Sequence, residues 1–367
     1  MEKSHKGAKT ILDFCDVEGE PHLIEIVQED CYLGDFLQND GKNVRNIEER
    51  FIRGKGAVKQ VVQMLEDLCL GQYHFQAGVL LRNSLVLSSL ISNSESWYNL
   101  TQRDISRLES VDEEMLRKLL FAHSKTAIEL LYLETGTIPI RFILMSRRLN
   151  FLHYILHENE SSLIHQFLVA QAKNPSKSDW VKTVTNDLQE LNIQLNFEDI
   201  KNISKSMFKN LVKDKVKIKA FQYLTSQQET HSKSKELRYS ELQLQYYLRP
   251  GNNLTIKEKA FIFSARSRMI DIKCNFKLGR TDFSCRKCNF ADEDQRHILI
   301  CPKLSDNSVM NCSQIAYEDL LGCDINKIQM IGRILIKRFN ALVSDSIVTQ
   351  TMCTDNLSCA ASVEDLE

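Results

Sequence analysis

Residues 46–68 read NIEERFIRGKGAVKQVVQMLEDL, and their spacing decides the fold class. Ile47, Phe51, Val58, Val61, Val62, Leu65 and Leu68 fall on one side of a 3.6-residue period. Glu48, Glu49, Arg50, Arg53, Lys55 and Lys59 fall on the other. That is a helix with one face in a core. The same kind of reading predicts helices over 75–91, 102–121, 140–157, 161–172, 178–191, 197–224, 255–271, 313–321 and 326–343. Thr101 suits the N-cap of the 102–121 helix, and Leu108, Val111, Met115, Leu116 and Leu119 face inward. Upstream the chain is β-prone at Ile24-Glu-Ile26-Val27 and Tyr32-Leu33, with a turn at Asp40-Gly41. The fold is therefore expected to be mainly α, with a small β-hairpin of two or three strands at the N-terminus.

Composition narrows the class further. The 367 residues carry 47 Lys and Arg against 48 Asp and Glu, a formal net charge of −1, so any affinity for a polyanion must be local. Only 5 Pro and 13 Gly fit a helix-rich chain with few irregular linkers. No leader-like apolar run opens the sequence, and no 18-residue apolar stretch occurs. A reducing intracellular compartment, nuclear or cytoplasmic, and no membrane partner are the expectations. Breaks are expected at Thr135-Gly-Thr-Ile-Pro139, at Asn174-Pro-Ser-Lys-Ser178 and in the polar stretch 225–235. They divide the chain into 1–45, 46–173, 174–255, 256–305 and 306–367, the last ending in a disordered tail.

One stretch commits to chemistry. Cys285-Arg-Lys-Cys288 is followed by His297 and Cys301, a C-x2-C-x8-H-x3-C spacing. With 11 Cys in the chain a lone CxxC is weak, but the four-residue pattern is expected in well under ~1% of shuffled chains. Thiolates and a neutral imidazole suit one structural Zn(II) ion in tetrahedral coordination. Loss of a ligand is then expected to unfold residues 280–305 and leave the helical body intact.

Two basic stretches are candidates for phosphate contact. Residues 201–219 hold seven lysines against one acid, Asp214, and Lys201, Lys205, Lys209 and Lys213 would share one lane of a continuous helix. Around the cluster stand Arg266, Arg268, Lys273, Lys277, Arg280, Arg286 and Lys287, interleaved with Phe261, Phe263, Phe276 and Phe283. A solvated helix face and a packed module are the plainer readings of the same residues. Other motifs fail: His153 and His157 lack the glutamate a zincin needs, Gly54-Lys-Gly56 lacks the rest of a phosphate loop, and there is no G-x-S-x-G.

Several of these residues resemble the C-terminal part of a non-LTR (LINE-type) retrotransposon reverse transcriptase. Cys31-Tyr-Leu-Gly34 with Asp40-Gly41 is similar to its primer-grip hairpin. Ser96-Trp97-Tyr98, Leu108-Glu109, Val111-Asp112, Leu116-Arg117, Ile138-Pro-Ile-Arg141 and Arg147-Arg148-Leu149-Asn150 resemble its helical thumb. Ala265-Arg-Ser-Arg268 and Cys285–Cys301 resemble its basic arm and CCHC zinc knuckle. The resemblance spans about residues 20–305 and implies a thumb-like helical body, a zinc knuckle, and RNA or DNA as partner, single-stranded or as template-primer. It departs where catalysis would sit: the chain has no Asp-Asp pair to hold two Mg(II) ions, and no Pro is followed by Asp as in the associated endonuclease. The expectation is a nucleic-acid-binding fragment without its own polymerase centre. A polymerase half supplied in trans and a zinc-stabilised interaction protein without nucleic acid stay open as alternatives.

Overall fold

The computed structural model describes residues 10–15, 21–26, 29–32, 35–38, 43–174, 176, 179–304 and 316–344. Leu33, Gly34, Asp40, Gly41, Pro175, Lys177, Ser178 and the 345–367 tail lie outside them, and so do the expectations placed there. The chain is mainly α. Its strands form two antiparallel hairpins, β1 (Thr10–Cys15) with β2 (Pro21–Ile26) and β3 (Glu29–Tyr32) with β4 (Asp35–Gln38). The helices are α1 (Val44–Asp67), α2 (His74–Leu81), α3 (Leu87–Ile91), α4 (Gln102–Leu120), α5 (Ile128–Thr135), α6 (Ile140–His157), α7 (Leu163–Lys173), α8 (Trp180–Glu190), α9 (Phe197–Lys201), α10 (Lys205–Thr230), α11 (Ile256–Arg266), α12 (Gln295–Ile300), α13 (Glu318–Leu321) and α14 (Ile325–Val343). Among the described residues no helix is long and apolar enough to cross a membrane.

The local chemistry explains most boundaries. Thr101 caps α4 in a reciprocal box: its hydroxyl accepts from the Asp104 amide and the Asp104 carboxylate accepts from the Thr101 amide. Between α2 and α3, Arg82–Val86 form one π-helical turn, where the buried Arg82 side chain leaves the helix to reach Asp112. Gly54 is needed for approach: a Cβ there would lie 2.3 Å from Leu90 Cδ2, so α1 and α3 could not close to their observed distance. Packing thus gives one glycine of the Gly54-Lys-Gly56 stretch its structural reason. Gly136 ends α5 at φ +67, and a Cβ there would lie 2.1 Å from the backbone of Gln243, whose neighbour Leu244 bridges Thr135.

Helix α5 lies at the centre, and every residue from Glu129 to Thr135 is buried. A helix enclosed on all sides shows no amphipathic period, which is why the pattern over 128–135 does not announce it. Buried ion pairs fasten its surroundings. Arg82 and Asp112 pair through two contacts of 2.6 Å, and the Tyr132 hydroxyl donates to the same carboxylate. Arg148 Nε lies 2.6 Å from Asp187, joining α6 to α8. Glu134 accepts from Arg266 Nε at 2.8 Å and from the hydroxyls of Tyr239 and Tyr247 at 2.7 and 2.9 Å. Arg266 also donates to the carbonyls of Leu320 and Gly322, so this one cation ties α5, α11 and α13 together.

Three expectations are corrected. The 197–224 helix is two helices, broken at Asn202–Ser204, where the Ser204 hydroxyl caps α10. The polar stretch 225–235 is no linker. Helix α10 runs on to Thr230, and buried Gln228 donates to the carbonyls of Ser234 and Leu237. The break at 174 and the boundary at 255 do not divide the core. One continuous cluster runs from Ile47 to Leu342, and Trp180 donates its indole N–H to the Glu95 carbonyl at 2.8 Å.

Candidate metal centre

Residues 283–301 fold as a knuckle followed by a short helix. Ser284 and Asp292 form an antiparallel bridge, the Glu293 amide donates to the Phe283 carbonyl, and the Cys285 amide donates to the Ala291 carbonyl at 2.8 Å. Asn289, at φ 57, takes the left-handed turn that reverses the chain behind Cys288. Asp294 then caps α12 by accepting from the His297 amide at 2.7 Å. His297 and Cys301 stand four residues apart at the end of this helix and share a face.

The four side chains converge. Their ligand atoms all lie within 4.8 Å of one another, with Cys285 Sγ 3.9 Å from Cys301 Sγ and Cys288 Sγ 3.2 Å from His297 Nε2. Tetrahedral ligands at ordinary metal–sulfur and metal–nitrogen lengths stand about 3.8 and about 3.6 Å apart, so the spacing fits a metal ion. The three cysteines are buried. Burial pushes the Cys301 thiol up to about 11, with the Cys285 thiol adding to it, whereas the Phe290 amide lowers Cys288. Three enclosed sulfurs at this spacing ionise together only with a cation among them. These four residues could hold a metal ion.

The neighbours hold this arrangement in place. Gln295 donates to the Ala265 carbonyl at 2.8 Å, which seats α12 on α11. Arg338, reaching from α14, donates to the carbonyls of Ile298 and Cys301 and so caps α12 at the ligand end. Glu293, fully buried, accepts from Arg286 Nη2 at 2.6 Å and from the Lys273 amide at 3.0 Å. Burial would raise that carboxyl, but the Arg286 guanidinium holds it below its ordinary value.

The expected nucleic-acid contacts are sorted by this geometry. Arg266 is corrected outright: it is 1% exposed and spent on Glu134, so no phosphate reaches it. Arg286 is taken up by Glu293, Arg268 pairs with Glu236 at 2.6 Å, and Lys273 pairs with Asp282 at 2.6 Å. Lys287 is half-buried. Lys201 sits in α9, outside the helix of the other lysines, 3.6 Å from Glu160. Lys205, Lys209 and Lys213 are exposed on α10 and make no ion pair among the described residues, and Lys277 and Arg280 are exposed on the loop before the knuckle. Of the phenylalanines, Phe263 is core and Phe261 packs on Phe339. His153 and His157 stack on each other; the first faces the Ile203 carbonyl with Nε2, as ordinary helix residues do.

A cleft of about 610 Å³ lies away from these ligands, between α4, α5, α6 and α10. Glu113 lines it, and burial together with the Glu109 carboxylate raises its carboxyl to about 7. The unfolded chain releases this proton near 4.5 and the folded one near 7. Stability therefore falls as pH rises through that window, and the penalty is complete above it. Glu113 is only partly buried, so solvent screening discounts the effect, and Glu113→Gln is expected to stabilise the protein by about 1–2 kcal/mol at pH 8 and to be nearly neutral at pH 4. Urea titrations at the two pH values check this, and an equal effect at both would refute it.

No family model, curated protein or solved structure matches this chain.

Proposed function

We propose that this chain is a zinc-stapled helical protein that binds nucleic acid and carries no polymerase centre of its own. The ion is assigned as structural Zn(II), because three thiolates and one imidazole leave no open position and suit a borderline-soft cation. The ligands are Cys285, Cys288, His297 and Cys301. The carrying observation for the nucleic-acid reading is the lane of Lys205, Lys209 and Lys213. These three cations stand at successive helical turns, exposed, with no acid paired to them among the described residues. Like charges at i, i+4 and i+8 repel, and a phosphate backbone along the helix relieves that repulsion. The resemblance to the C-terminal part of a non-LTR reverse transcriptase agrees in partner class, and the absent Asp-Asp pair argues against template-directed synthesis by this chain alone.

Binding to single-stranded RNA or DNA is expected to weaken steeply with salt. The Lys205→Gln, Lys209→Gln, Lys213→Gln triple variant should flatten the log–log salt slope by about 2, the value for three lost phosphate contacts on a single strand. Unchanged slope in the triple variant would remove the lane from the reading. The alternative, a zinc-stabilised interaction protein, is favoured by the pairing of Arg266, Arg268, Lys273 and Arg286 with acids, and it predicts no binding at any salt.

A further inference from the structure

We infer that the knuckle carries a stacking platform, the ring of Phe290, for one unpaired base of a single-stranded nucleic acid. The inference rests on the nucleic-acid reading above and names a contact which that reading does not. Leu278 and Phe290 are the most exposed large apolar side chains among the described residues, at 95% and 90%, and the next phenylalanine, Phe167, stands at 59%. A solvated phenyl ring is unfavourable in water, and this one is held out on a short, constrained turn. It lies between the metal ligand Cys288 and Ala291, whose carbonyl accepts the Cys285 amide, and follows Asn289 at φ 57. A ring mounted on a metal-ligand loop loses little further freedom on binding.

The surroundings favour a base over other occupants. Leu278 tops a tight turn in which the Arg280 amide donates to the Lys277 carbonyl and Gly279 takes φ 75. Lys277 and Arg280 flank it, both exposed. The Lys277 ammonium lies 5.9 Å from the centroid of Phe283, and the Phe283 carbonyl accepts the Glu293 amide, so this basic turn is tied to the strand pair that bears the knuckle. One exposed aromatic face and two exposed cations, Lys277 and Arg280, within one small module match a strand of alternating bases and phosphates. A protein partner of comparable strength would ask for a contiguous apolar patch.

The test uses the full zinc-loaded chain. Its two tryptophans, Trp97 and Trp180, are 2% and 9% exposed, so Phe290→Trp introduces the one well-exposed indole among the described residues. Titration with single-stranded oligo(dT) and oligo(U) is expected to quench that emission, saturating with binding, while a duplex of equal length quenches weakly. Phe290→Ala should weaken oligo(dT) binding by about 10-fold and leave the salt slope unchanged, since stacking involves no counterion release. If the intact protein binds but Phe290→Ala binds equally well and the introduced indole is not quenched, stacking is overturned and the phosphate reading stands. A blue shift of that indole on anionic vesicles without oligonucleotide quenching overturns it in favour of a membrane. Absence of any binding by the intact protein at low salt overturns both readings.

Discussion

His297→Ala, or removal of the ion by a chelator, is expected to release α12 and α14 together and leave the body from α1 to α10 folded. Helix α12 has six residues, too few to persist alone, and its ends are set by Asp294 on one side and by Cys301 with Arg338 on the other. A structural zinc ion supplies on the order of 10 kcal/mol of folding free energy, more than a module of this size retains without it. The ligand spacing alone predicts a loss that stops at residues 280–305. The fold extends it, because α14 packs on both α11 and α12, and Arg338 donates into the ligand-bearing helix. Hydrogen exchange by mass spectrometry with and without chelator reads this directly. Deprotection of 325–343 together with 283–301 is the expected result; deprotection confined to 283–301 would show that α14 stands independently.

The second large effect falls on Arg266. Arg266→Ala should cost about 3–5 kcal/mol, because it leaves the Glu134 carboxylate buried without its cation. Tyr239 and Tyr247 would still donate to Glu134, but hydroxyls alone do not neutralise a charge that is 1% exposed. The carbonyls of Leu320 and Gly322 lose their donor at the same time, so α13 should loosen. Lys205→Ala, on an exposed face, serves as the comparison and should change stability by no more than about 0.5 kcal/mol. Urea unfolding measures both. The pair also separates two roles for Arg266: a phosphate ligand would lose affinity and keep stability, whereas a core cation loses stability first.

Much of this architecture is legible because it is written in short spacings. The C-x2-C-x8-H-x3-C pattern locates four side chains that converge, and the periods of 46–68, 102–121, 140–157 and 326–343 match α1, α4, α6 and α14 within a turn. What stays hidden depends on partners far away in sequence. Arg266 sits in a run of basic residues and reads as surface; nothing nearby announces Glu134, 132 positions earlier. Gln228 looks like linker composition, yet two backbone carbonyls make its burial favourable. The lysine lane loses Lys201 because Ser204 caps a new helix, a stop signal that periodicity alone overlooks. Phe290, an apolar residue between Asn289 and Ala291 in a small module, gives no sign that it stays in water.

The same geometry gives the residues of the reverse-transcriptase resemblance a structural setting. Glu109 pairs with Arg141, Asp112 with Arg82, Arg148 with Asp187 and Arg266 with Glu134, while Trp97 is core. These positions hold helices together.

Native mass spectrometry of freshly reduced protein tests the metal most directly. One zinc ion per chain is the expected result, lost in His297→Ala and in Cys285→Ser. A chain mass without metal, in protein whose 283–301 and 325–343 segments remain protected from exchange, would contradict it.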